Sequence, residues 1–289
     1  MESRLSTFWT IVLITFLTVT NANGQSPEEL DQAIQQLSAH AQEGDPESQF
    51  QLGVLYLKGI GVTRDTKTSF EWFLKAADQG LSQAQSAIGS LYQQGVGVSQ
   101  NNVEAARWWQ LAAEQGDIAA QRGIGFLYLR GIGVSQDIIQ AEKWYLLAGK
   151  NGNSMAQFEL GLLYDRCQHQ PSMMRKIFCS YLGKGSKASP EPSPVKAAKW
   201  YQLAAEAGLP NAQYAFGLML ARGEHINQDN IKAAMWLNLS FSQLPPGGDH
   251  DEAYKEFMLV KQRMNPEEIS KARAMTHAWR PKYNQQPLH

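Results

Sequence analysis

The chain is poor in the residue patterns that mark an active site. It has two cysteines in 289 residues, Cys167 and Cys179. Together with His169 they offer three metal ligands, one short of a structural zinc set. The other histidines, His40, His225, His250, His277 and His289, stand apart in the sequence. No G-x-S-x-G and no H-E-x-x-H occurs, so neither a nucleophile elbow nor a helical zinc protease motif is present. Catalytic, cofactor and metal sites are therefore expected to be absent. Charge of one sign is also lacking, with 26 Lys+Arg against 27 Asp+Glu. That balance excludes a nucleic-acid binder with a broad basic face.

A long apolar run is missing too. The longest stretches from Phe8 to Val19, short of the roughly 20 residues that span a bilayer. It follows Arg4 and precedes small polar residues, with Ala22-Asn23-Gly24 as an A-x-G cleavage site. Residues 1–24 thus read as a secretory signal peptide, after whose removal no stable membrane insertion is expected. An uncleaved anchor is the alternative. Export places Cys167 and Cys179 in an oxidising compartment, where a disulfide between them is expected.

What the chain has instead is glycine, and the glycines are periodic. "KGIGVTRD" begins at 58, "QGVGVSQN" at 94 and "RGIGVSQD" at 130, each 36 residues after the last. These loops lack the lysine of a phosphate-binding P-loop. A fixed period of this length means an array of small units. Anchors at Gly44, Gly80, Gly116, Gly152 and Gly208 are each followed nine positions on by another glycine, from Gly53 to Gly217. Tryptophan recurs at Trp72, Trp108, Trp144, Trp200 and Trp236, 28 residues past each anchor except the fourth, where an insertion of 20 residues intervenes.

Each unit reads as two antiparallel helices. Asp45-Pro46 is a capping pair for the first helix. Asp65, Asn101, Asp137 and Asp229 cap the second. A glycine inside a helix costs about 1 kcal/mol relative to alanine, so the recurring ones imply close approach of a neighbouring helix. The first loop glycine, such as Gly131, suits a left-handed helix end, and the second a tight turn. Val134 is expected to turn back into the core.

The motif "AQSAIGSLYQQGVGVSQNNVEAARWWQLAAEQG" at 84–116 resembles the Sel-1-like repeat family, relatives of the tetratricopeptide repeats. That resemblance implies an all-α fold, a right-handed superhelical α/α solenoid. It gives five repeats over 44–241, at 44–79, 80–115, 116–151, 152–207 with an insertion at about 167–194, and 208–241. Residues 25–43 read as an N-terminal capping helix and 242–289 as C-terminal capping helices and tail. The two closing helices are expected at 254–264 and 266–279, after a linker "LPPGGDHDEA". The closing segment "MNPEEISKARAMTHAW" is similar to the last helix of many bacterial members, which points to the periplasm. An endoplasmic reticulum lumen is the eukaryotic alternative.

In tetratricopeptide relatives the side of the first helix away from its partner lines a concave groove. Carried over, that side gives Phe50, Arg122, Phe158 and Tyr214 at one offset, Phe126 at a second, and a cationic row of Lys58, Arg130, Arg166 and Arg222 at a third. Aromatics beside arginines favour peptide recognition, and arginine pairs bidentately with carboxylates. The expected partner is a protein or peptide with an acidic segment, held by a non-catalytic scaffold. The plainer reading is that a cation at a helix end offsets the helix dipole. The rival function is a β-lactam-interacting hydrolase of the cysteine-rich Sel-1-like type. It rests on "SPVK" at 193–196, which matches S-x-x-K without a "KTG" or "SDN". From Arg166 to Lys196, both counted, the stretch around the insertion carries six basic residues and one acid, Glu191.

Overall fold

The computed structural model describes residues 27–165, 191–223 and 225–283. They form thirteen helices, and no strand occurs among the described residues. In chain order these are α1 (Pro27–Glu43), α2 (Pro46–Lys58), α3 (Thr66–Asp78), α4 (Ser82–Gln94), α5 (Asn102–Glu114), α6 (Ile118–Arg130) and α7 (Ile138–Lys150). They continue as α8 (Ser154–Asp165), α9 (Pro194–Glu206), α10 (Pro210–Arg222), α11 (Asn230–Gln243), α12 (Gly248–Lys261) and α13 (Pro266–Tyr283). Each repeat contributes a first helix and a second helix, and the fold is an all-α repeat solenoid.

Two compact units divide the chain. One runs to Leu127 and includes Ile132–Ser135; the other holds Tyr128–Gly131 and Gln136 onward. In the first unit α1 to α5 pack each on the next. Ile34, Leu37, Leu52 and Leu55 form one buried cluster there, and Phe73, Ile88, Leu91 and Trp108 another. In the second unit α7 to α11 pack consecutively, and α12 and α13 both lie against α11. Its core is one continuous cluster from Leu129 to Ala272.

The capping signals act as expected. Asp45 accepts from the Ser48 amide at 2.8 Å. Asp65, Asn101, Asp137 and Asp229 accept first-turn amides of α3, α5, α7 and α11. Each relieves one of the orphan donors of a helix start. Asn265 and Glu268 form a reciprocal pair at the head of α13, each backbone amide donating to the other's side chain at 2.9 Å. Gln36, at the tryptophan position of α1, is exposed, as an outward cap requires.

Three of the recurring helix glycines each face a ring, and Gly217 faces Leu237. A methyl group on Gly53 would meet Phe73 at 2.8 Å, on Gly89 Trp109 at 2.5 Å, and on Gly161 Tyr201 at 2.3 Å. The close neighbour is thus the residue after the tryptophan on the second helix of the same repeat. The loop glycines answer two separate demands. Gly59, Gly95 and Gly131 end their helices with φ between 66° and 71°. Gly97 and Gly133 also have positive φ, and a Cβ there would lie 2.1 Å from the backbone oxygens of Thr66 and Asn102. The second loop glycine therefore seats its loop on the preceding repeat. In the fifth repeat His225 takes that position at φ 64°, a strained conformation for a residue with a Cβ.

The closing helices differ from the expected bounds. α12 begins at Gly248, inside the stretch read as a linker, and α13 runs on to Tyr283. Asp249 and Asp251 fall in the first turn of α12, where acidic side chains favour the positive helix end. That local electrostatic preference starts the helix despite the two glycines.

Candidate functional site

The cationic row occupies helix ends. Lys58, Arg130 and Arg222 lie in the last turns of α2, α6 and α10. Lys58 and Arg222 are exposed and Arg130 is half-buried. Lys58 belongs to the first unit, Arg130 and Arg222 to the second. Arg166 lies outside the described residues, as do Cys167, Cys179 and the signal segment 1–24.

The aromatic row is divided by burial. In the first unit Phe50, Arg122 and Phe126 are half-buried, and Phe50 leans on Phe73 with ring centroids 5.3 Å apart. In the second unit Phe158 and Tyr214 are interior, 1% and 4% exposed. Phe158 packs on Tyr201, ring centroids 5.9 Å apart. Leu162 and Leu218, one turn further along the same helix faces, are buried too. The side of the first helix that the family offsets assign to a groove is therefore core in α8 and α10. The surface available to a partner there narrows to the helix ends.

The chemistry-bearing residues of the fourth repeat are engaged in structure. Ser193 is the N-cap of α9, and its Oγ accepts from the Lys196 amide at 3.4 Å. The Lys196 ammonium sits over the Tyr164 ring, 5.1 Å from its centroid. The S-x-x-K spacing is thus a helix start, with the lysine turned to an aromatic face. Tyr164 donates to Glu142 at 2.5 Å. Burial, and then the Glu142 carboxylate, push its phenol well above the ordinary tyrosine range. Tyr201 donates to Asp165 at 3.1 Å, inside the protein. No group of three or more metal-ligating side chains occurs among the described residues. Nor is any described helix long and apolar enough to cross a membrane.

One recurring polar residue escaped the motif reading. Five positions after each anchor stands a buried glutamine: Gln49, Gln85, Gln121, Gln157 and Gln213. Its side-chain amide donates backward to the end of the preceding helix. Gln49 reaches Ala41 O at 3.1 Å, Gln85 reaches Ala77 O at 3.2 Å, and Gln157 reaches Gly149 O at 3.0 Å. Its oxygen accepts from a second glutamine at the end of its own repeat. Gln79 donates to Gln49 at 2.8 Å, Gln115 to Gln85 at 2.7 Å, and Gln243 to Gln213 at 3.1 Å. In the third and fourth repeats that second position holds Asn151 and Ala207. The side-chain oxygens of Gln121 and Gln157 are the ones left buried without a partner. The signal was present in the sequence, as a glutamine repeating in phase with the anchors.

An open cleft of about 520 Å³ lies in the second unit between α9 and α11, over Phe216 and Leu220 of α10. A smaller one of about 220 Å³ lies among α11, α12 and α13.

Comparison with known proteins gives a consistent result. The family model described as Sel1 repeat matches residues 46–81, 82–117, 118–153, 178–209 and 210–243. Among solved structures, a Sel1 repeat protein from Oxalobacter formigenes is similar at 27% identity and TM-score 0.64, over 87% of this chain and 99% of that one. A putative sel1 repeat protein from Klebsiella pneumoniae aligns at 20% identity and TM-score 0.44, over 78% of this chain and 98% of that one. The protective antigen c5321 of uropathogenic Escherichia coli, which displays an SLR fold, aligns at 19% identity and TM-score 0.40, over 96% of this chain and 85% of that one. No curated protein matches the chain.

Proposed function

Because the chain belongs to the Sel1 repeat family, we propose that it is an exported, non-catalytic scaffold that binds a protein partner of a bacterial cell. The observation that carries this reading is how its recurring polar side chains are used. The capping aspartates and asparagines hold helix starts, and the anchor-phase glutamines join one repeat to the one before. The exposed positions remain for partner choice, which repeat proteins encode on their surface.

The partner contributes an acidic segment, met by Arg130 and Arg222 at the first-helix ends of the third and fifth repeats. Arg130 and Arg222 supply the planar, bidentate donors that fix register on carboxylates. In-cell crosslinking followed by mass spectrometry tests this directly, comparing wild type with the Arg130→Glu, Arg222→Glu double variant. Loss of the same partner bands is expected. Unchanged capture would leave these residues as helix-end cations and nothing more. N-terminal sequencing of the exported product, expected to begin at Gln25, tests the signal peptide. Purified protein is expected to leave a chromogenic β-lactam intact, and turnover would favour the hydrolase reading.

A further inference from the structure

The second helices permit a comparison of one repeat with another. Their outward faces carry exposed apolar pairs: Ile139 and Leu147 on α7, 46% and 38% exposed, and Val195 and Leu203 on α9, 64% and 37%. On α11 the same repeat positions are Ile231 and Leu239, and Leu239 is 0% exposed. Where α7 and α9 place the exposed cations Lys143 and Lys199, α11 has Met235, 6% exposed. The difference follows from α12 and α13, which both pack on α11. A helix laid on the outside of a second helix is therefore an association that this repeat type already makes once, within the chain.

The cleft between α9 and α11 offers the next such seat. Val195 and Lys199 of α9 form one wall, Met235 and Trp236 of α11 the other, and Met275 of α13 closes a flank over a floor that includes Phe216. The α9 wall runs from Val195 to Glu206, about 16 Å of helix or three turns. An apolar floor with a polar rim is the anatomy of a binding hot spot. Lys199 stands exposed on that rim and takes part in no ion pair among the described residues. α13 shows what the layer accepts: Ile269, Ala272, Met275 and Trp279 recur at helical spacing behind the acidic first turn of Glu267 and Glu268.

We propose that the α9–α11 cleft docks one amphipathic helix of a partner protein, about three turns long. Its apolar anchors sit at i, i+3 or i+4, and i+7, with a carboxylate against Lys199. This site lies on the second helices and does not depend on the cationic row of the first helices.

A synthetic peptide of residues 265–283 of this chain serves as the probe, labelled with fluorescein and titrated with the full-length protein by anisotropy. Saturable binding is expected, weakened at least tenfold by Val195→Asp and several-fold by Lys199→Glu, the latter effect shrinking in high salt. Both substitutions are at exposed positions, and circular dichroism checks that each variant is folded. The Arg130→Glu, Arg222→Glu variant should bind the peptide as wild type does. The proposal is overturned if no saturation is reached by about 1 mM, if a scrambled peptide binds equally, or if Val195→Asp leaves binding unchanged. It is also overturned if the full-length protein dimerises and Val195→Asp makes it monomeric, since a second copy would then be the occupant. None of these outcomes bears on the cationic row, whose test is the crosslinking experiment.

Discussion

Ala207→Gln should stabilise the protein, because it supplies the one donor that the fourth repeat lacks. In three repeats the glutamine at this position caps a buried side-chain oxygen, at 2.8, 2.7 and 3.1 Å. Ala207 already has the required backbone, φ −74° and ψ −3°, against −81° and 0° at Gln79 and −83° and 0° at Gln115. The substitution thus needs no rearrangement of the chain. Leaving a buried acceptor unpaired costs about 1–3 kcal/mol, and ordering a glutamine side chain costs up to about 2 kcal/mol. The net gain expected is about 1 kcal/mol, a rise in melting temperature of about 2–4 °C for a domain of this size. Urea and thermal unfolding followed by circular dichroism measure it. Gln115→Ala is the reverse experiment and should cost the same net amount, about 1 kcal/mol. Gln157→Leu combined with Ala207→Gln should abolish the gain, since no acceptor remains. If Ala207→Gln is neutral while Gln115→Ala is also neutral, the glutamine pairs contribute nothing and the reasoning is wrong.

Gly97→Ala should cost more than about 3 kcal/mol, because strained φ is joined by a clash with the Thr66 carbonyl at 2.1 Å. Gly116→Ala, with φ 93° and nothing within 4 Å, should cost only about 1–2 kcal/mol, and equal losses in a urea midpoint comparison would contradict the contact. Burial raises the Asp229 carboxyl, but the Lys232 amide and side chain outweigh it and hold the group below the ordinary aspartate range. Its contribution to stability is therefore full above about pH 4 and is lost as pH falls through the lowered value. The difference in urea midpoint between wild type and Asp229→Asn should accordingly shrink between pH 6 and pH 2, and a difference independent of pH would refute it. Ser193→Ala should cost about 1 kcal/mol as the loss of a helix cap, read from the same unfolding curves, and leave partner capture unchanged.

Local signals made the fold legible from the residues. Asp45, Asp65, Asn101, Asp137 and Asp229 announce helix starts through short-range hydrogen bonds, and the periodic glycines mark where rings and loops come close. The candidate site was less legible, for a physical reason. Helix periodicity tells which residues share a face, but what lies against that face depends on the neighbouring repeats. Phe158 and Tyr214 occupy the same offset as Phe50, yet they are interior while Phe50 is half-buried. The α9–α11 cleft is a product of three helices and a closing helix, and no single stretch of sequence contains it. Gln49 and its equivalents were missed because glutamine is a common surface residue and its hydrogen bonds cross repeat boundaries.

The loop between the two helices of each repeat is closed by one backbone hydrogen bond. Asp65 N donates to Tyr56 O at 3.0 Å, Asn101 N to Tyr92 O at 2.9 Å, and Asp137 N to Tyr128 O at 2.9 Å. The fourth repeat makes the same bond, Ser193 N to Tyr164 O at 3.0 Å, although 28 residues separate that pair and eight separate Tyr56 from Asp65. Loop-closure entropy grows so slowly with length that the longer excursion costs only about 1 kcal/mol more. The bond holds the two helix ends together whether eight or 28 residues lie between them. The fourth repeat can accordingly accept a further segment grafted within its insertion, a sensor, an epitope or a whole small domain, with helix pairing on either side left as it was.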